Sequence, residues 1–203
     1  MDNTLKVPRQ VRSQQVKNQI FQAAMELMRE YGYEYVTVAN VCSRAGISVG
    51  SFYHHFGSKD ELLAYYFDAG YEEYWQEYES KLSGDFIEDT VVVYSMYSQY
   101  CMDQGLQFIK NFYTPNNKSL YLGDFTKSGE KHLPVMKKSY VILQEAQKRG
   151  EIRPEEDIKQ LTEDLCMLEK GLIFEWALSD GEYDLLNSVR RIKTNMLRGV
   201  VGG

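Results

Sequence analysis

Between Val38 and Phe56 the chain reads VANVCSRAGISVGSFYHHF, followed at once by Gly57-Ser58-Lys59-Asp60-Glu61-Leu62-Leu63. Two segments too short to be stable alone meet at Gly46, a residue that tolerates the left-handed backbone of a helix stop. Thr37 and Ser48 stand where a side-chain oxygen can accept the unpaired amides of a new helix, and Ser58-x-x-Glu61 is a capping box for the next one. Ile47 plugs the turn into a core, and Phe52 and Phe56, four apart, share an inward side. A chain punctuated in this way folds as helix, tight turn, helix.

The rest of the sequence keeps the same period. Val16, Ile20, Ala24, Leu27, Met28 and Tyr31 predict a first helix over Ser13–Tyr31, stopped by Gly32. A fourth helix starts at Ser58 with a seam of Leu62, Tyr66, Gly70, Tyr74, Tyr78 and Leu82, running on until Ser83-Gly84. Further helices are read over Ile87–Met102, Leu106–Tyr113 and Leu133–Lys148, with a polar loop over Thr114–His132. Pro154 followed by Glu155, Glu156 and Asp157 predicts a helix start. The seam beyond it is Ile158, Leu161, Leu165, Leu168 and Leu172, and a last helix shows Leu185, Val189, Ile192 and Met196. No strand alternation and no repeat is visible. The expected fold is all-α: a helix-turn-helix domain over residues 1–60 and a helical domain over 61–203.

Charge is segregated along the chain. Residues 1–60 carry seven Lys or Arg against five acids, a net +2, and the remainder carries −8, within an overall −6. Lys6, Arg9, Arg12 and Lys17 form a short basic arm that either lies along phosphates or is a disordered, solvated leader. No apolar run is long enough for a signal peptide or a membrane span, so a cytoplasmic location is expected. Cys42, Cys101 and Cys166 are odd in number and lie inside apolar patterns, as buried reduced thiols do.

In a helix-turn-helix the amino-terminal part of the second helix lies in the major groove. Ser48, Val49, Gly50 and Ser51 occupy that point, where small side chains let the backbone approach base edges. Tyr53, His54 and His55 come a turn later, within reach of phosphates, and Thr37, Arg44 and Lys59 are placed to pin the flanking backbone. The histidine pair is not a metal site, since adjacent helical residues diverge by about 100°. An enzyme or small-molecule carrier on a helical frame is the rival reading. Only His54, His55 and His132 are available to it as histidines, and no nucleophile, metal or phosphate-loop motif accompanies them.

Over Val16–Leu63 the chain resembles the TetR family of transcriptional regulators. The resemblance rests on Thr37-Val38, on Ala45-Gly46-Ile47-Ser48 at the turn, on Gly50-Ser51-Phe52-Tyr53-His54-His55-Phe56, and on Ser58-Lys59-Asp60-Glu61-Leu62. Val49 departs from the lysine or arginine often found there, which removes one phosphate contact. The resemblance implies a homodimer joined through the last two helices, bound to palindromic double-stranded DNA and released by a small effector lodged between the fourth and seventh helices. Two reading heads held about 34–36 Å apart would match one turn of duplex.

The acidic body holds many of the chain's sixteen tyrosines, nine phenylalanines and eight methionines. Tyr94, Tyr97, Cys101, Phe108, Phe112, Tyr113, Met136 and Tyr140 are the candidate pocket walls, and they suit an apolar or aromatic effector. Each is also a plausible core residue. No metal or other cofactor is expected, and a regulator that takes no effector is the second possibility.

Overall fold

The computed structural model describes residues 9–115, 117, 120–122 and 134–202. Lys6, His132, Leu133 and most of the loop read over Thr114–His132 lie outside the described residues. Two compact units divide between Tyr66 and Phe67 rather than at residue 60. The difference has a packing cause: Tyr65 and Tyr66 set their rings 5.3 and 6.3 Å from Phe21 and so belong with the first unit.

In the first unit, helix α1 (Arg9–Tyr31) starts four residues before the expected Ser13. Gln10, Val11 and Arg12 are exposed, and arginine and glutamine are good helix formers, so this turn persists without burial. Gly32, at φ +80°, ends α1 and donates its amide to Met28 at 2.9 Å. Thr37 caps α2 (Val38–Ala45) by accepting from the Asn40 amide at 3.2 Å, and Gly46 closes it at φ 66°, ψ 34°. Ser48 caps α3 (Val49–His55) by accepting from Ser51 at 3.1 Å. At the start of α4 (Lys59–Gln76) the Ser58 hydroxyl accepts from Glu61, while the Glu61 carboxylate reaches back to the Gly57 amide at 2.8 Å. Ile20, Ala24 and Leu27 of α1 are buried, as are Val41, Cys42, Phe52 and Phe56. The expected inward side of α1 faces in except at its end, where Tyr31 is 56% exposed.

In the second unit α4 stops at Gln76, and Glu79–Lys81 form a 3₁₀ turn, so the predicted run to Leu82 is broken. The ladder tightens there, with the Tyr78 amide on the Trp75 carbonyl at 2.9 Å and the Lys81 amide on the Tyr78 carbonyl at 2.8 Å, three-residue steps in place of four. Buried Asp89 accepts from the amides of Ser83 and Gly84 at 2.7 and 2.9 Å and turns the chain into the next helix. That helix, α5 (Phe86–Asp103), is packed by α6 (Leu106–Phe112), α7 (Pro134–Lys148), α8 (Ile158–Leu178) and α9 (Leu185–Arg198). Pro154 does not start a helix. Asp157 is the better cap and accepts from Gln160 at 3.1 Å, while Pro154 sits in a turn closed by the Glu156 amide on Arg153 at 3.2 Å. Among the described residues no strand forms, only one bridge between Ile152 and Val201.

Candidate functional site

Helix α3 divides its side chains sharply. Phe52 and Phe56 are each 1% exposed, whereas Val49 and Tyr53 are 49% and 53% exposed. Ser48, Gly50 and His54 face solvent with them, and Ser51 and His55 are half-buried. A Cβ added at Gly50 would meet nothing nearer than the Ser48 hydroxyl at 3.9 Å, so the helix backbone there is open to a close approach. His54 and His55 hold their rings 5.1 Å apart. Burial, then the charges of His54 and Lys17, push the His55 imidazole below its ordinary range. It therefore tends to be neutral near pH 7, a hydrogen-bonding group more than a cation.

Two expected phosphate contacts are otherwise engaged. Arg44 is clamped to α1, with its guanidinium nitrogens 3.0 Å from Glu26 and 2.9 Å from Glu30. The Arg44 hydrogen bond is also the main reason the Glu30 carboxyl lies below its usual range. Arg44 thus fixes α2 on α1, and a phosphate would have to displace a carboxylate to reach it. Lys59 sets its ammonium 3.9 Å over the Tyr33 ring, and burial pulls its pKa down. Both side chains set the position of neighbouring helices in the first unit. A row of amides that sequence reasoning passed over does face outward. Gln15, Asn18, Gln19 and Gln22 recur at helical spacing along α1 and line an open groove of about 890 Å³ with Arg12. Their spacing was the available signal, and amide donors are common partners of phosphate oxygens.

Five of the eight candidate pocket walls form one cluster. Tyr97 and Tyr113 share a 2.7 Å hydroxyl contact, Cys101 lies 3.9 Å from the Tyr113 oxygen, and Phe108 and Phe112 stack at 5.3 Å. Phe67 of α4 stacks on both phenylalanines, at 6.0 and 5.0 Å, and Tyr71 lies 5.3 Å from Tyr97. The Tyr71 hydroxyl is buried and without a hydrogen-bond partner. Burial holds the hydroxyls of Tyr71, Tyr97 and Tyr113 and the Cys101 thiol well above their ordinary pKa ranges, so all four stay neutral. Neither Phe67 nor Tyr71 is distinguishable by spacing from an ordinary seam residue.

Tyr94 belongs elsewhere. Its hydroxyl meets Ser139 of α7 at 3.1 Å and its ring lies 3.7 Å under the Lys193 ammonium. Met136 is fully buried, and Tyr140, half-buried, accepts from Gln144 at 3.0 Å. Tyr100 donates to the Phe67 carbonyl at 3.0 Å, and this approach is possible because position 70 is glycine: a Cβ there would collide with the Tyr100 phenol.

The leucine seam of α8 turns inward, with Leu161, Leu165 and Leu172 buried. A second stripe at the same period faces outward: Met167, Phe174 and Leu178 are 51%, 46% and 62% exposed. Gly171 stands between them, and a Cβ built on it would meet no atom within 4 Å.

Comparison with known proteins places this geometry. The family model for bacterial regulatory proteins, tetR family, matches residues 20–66. The HTH-type transcriptional regulator PksA of Bacillus subtilis is 34% identical over 59 residues, 29% of this chain and 29% of that protein. The HTH-type transcriptional regulator CymR of Pseudomonas putida is 31% identical over 97 residues, 48% of this chain and 45% of its own length. The chain therefore spans less than half the length of these two relatives. Among solved structures, FadR of Thermus thermophilus, a TetR-family transcriptional repressor in complex with lauroyl-CoA, superposes with a TM-score of 0.64. It is 19% identical, over 90% of this chain and 93% of that one, a likeness of fold. Helices α2 and α3 and the Gly46 turn lie inside the stretch that matches the tetR family model, and the chain as a whole is similar in fold to that repressor.

Proposed function

We propose that this chain is a dimeric, ligand-responsive transcriptional regulator that reads palindromic double-stranded DNA with α3, in the cytoplasm and without catalytic activity of its own. The division of α3 carries the reading: Val49, Gly50, Tyr53 and His54 are presented outward by a helix whose inner side is locked by Phe52 and Phe56. Among the described residues no helix is long and apolar enough to cross a membrane, and no cluster of metal-ligating side chains occurs. The effector is an apolar or aromatic molecule admitted among the rings of α4, α5 and α6. It acts by binding the DNA-incompetent shape better, and a coupling of about 1–3 kcal/mol suffices for a five- to 150-fold response.

The test is a gel-shift series on fragments selected from random DNA. Binding should fall steeply between about 50 and 200 mM salt, as phosphate contacts require. Tyr53→Ala is expected to weaken binding by about 1–2 kcal/mol, roughly five- to thirty-fold, with an unchanged circular-dichroism melt. Salt-independent binding, or full affinity in the variant, would sink the assignment of α3.

Dimerisation is supported by the outward stripe of α8, an apolar row with a glycine at its centre that lets a second helix approach. Phe174→Asp combined with Leu178→Asp should give a folded monomer in sedimentation velocity. A dimer that survives both changes places the interface elsewhere.

A further inference from the structure

We propose that the groove between α5, α9 and the turn Glu79–Lys81 is a second ligand site, one that takes an aryl carboxylate. It encloses about 470 Å³, within the roughly 300–1,000 Å³ of small-molecule sites. This inference goes beyond the regulator reading and depends on neither DNA nor the aromatic interior.

The walls carry the ligand class. Val92 and Met96 of α5 and Leu186 of α9 make the apolar floor, and Tyr78 supplies a ring at one side. A tyrosine face and a methionine sulfur together favour an aromatic body over a plain alkyl chain. Lys81 and Arg190 are the charged lining residues, and no Asp or Glu lines the groove, although residues 61–203 carry a net −8. A cationic groove in so acidic a segment selects an anion.

Neither cation is tightly held. Arg190 meets Glu88 at 3.3 Å with both side chains 56% exposed, a pair worth about 0–1 kcal/mol that a ligand carboxylate can replace. Lys81 rests 3.8 Å over the Tyr78 ring and can swing from it to an anion. At the floor, the Ser95 hydroxyl is buried and has no hydrogen-bond partner. Buried polar groups are seldom left unmatched, and a ligand oxygen seated there would complete this one. Hydrophobic floor, cationic rim and an unmatched hydroxyl describe one amphipathic anion.

The experiment is calorimetric titration of the intact chain with 2-naphthylacetate and with its neutral amide. The acid should bind saturably, one per chain, and the amide at least tenfold more weakly. Lys81→Gln with Arg190→Gln should cost the acid at least tenfold while leaving the amide and the melting temperature unchanged. Val92→Trp, which fills the groove, should abolish binding of both. Absence of saturable binding up to about 1 mM, equal affinity for acid and amide, or affinity untouched by the double variant would each overturn the proposal. The last result would put the probe in the aromatic interior instead.

Discussion

Lys193→Met is expected to destabilise the second unit by about 3–5 kcal/mol, the cost of stripping one partner from a buried ion pair. Lys193 and Glu169 are both fully buried, 3.1 Å apart. The ammonium also donates to the Leu165 carbonyl at 2.6 Å and lies over Tyr94, while Ser98 donates to the other Glu169 oxygen. Three helices, α5, α8 and α9, thus meet at one polar point. Burial lowers the pKa of Lys193 and raises that of Glu169, and their mutual attraction opposes both shifts.

Without the lysine, Glu169 is an uncompensated buried carboxylate and takes up a proton. Its folded-state pKa then stands further above the unfolded value, so the folded variant binds more protons than the unfolded chain in the window between them. The variant should therefore lose stability as pH rises from about 5, and its deficit against the native chain should shrink as pH falls. Urea unfolding at several pH values measures this. Glu169→Met with Lys193→Met should cost far less than the two single changes added together, because no charge is stranded. A single Lys193→Met loss below about 1 kcal/mol would show that the pair is not held as described.

Phe52→Ala is expected to cost about 3–5 kcal/mol and to unfold the first unit, although the change at its neighbour Tyr53 is expected to leave the fold intact. Phe52 is 1% exposed, with the Phe56 ring at 6.1 Å and the Tyr53 ring, nearly perpendicular to it, at 5.4 Å. The first unit ends at Tyr66, and a domain of that size has little stability in reserve. Amide exchange across α1 to α3 should accelerate to near unfolded rates in the variant. Native-like protection there would mean that the ring is not holding α3 in place.

Most of the first unit was legible because its signals are local. Gly32, Gly46, Thr37, Ser48 and Ser58 each act on atoms within four residues, and the period of Phe52 and Phe56 sets which side faces in. What escaped was decided by partners distant in sequence. The pairing of Arg44 with Glu26 and Glu30 on adjoining turns of α1 is one such contact that spacing does not reveal. In α9 the expected seam ran through Ile192 and Met196, whereas the buried row is Leu185, Val189, Lys193 and Leu197. A lysine is not counted in an apolar stripe unless Glu169, on another helix, is known to await it. The break after Gln76 has no such distant partner: it falls inside an uninterrupted apolar period, where three-residue hydrogen bonds at Tyr78 and Lys81 replace the helical ladder. The aromatic candidates were gathered by residue type, and only packing separates Tyr94 from the Tyr97–Tyr113 group.

The notch at Gly70, filled by the phenol of Tyr100, makes α4 and α5 a keyed pair. Rods joined by a tooth in a slot can tilt or part, but they cannot slide lengthwise without shearing the tooth. Under the effector mechanism proposed above, α4 would have to rock at this point, because a lengthwise shift would drive the Tyr100 phenol into the helix beside Gly70.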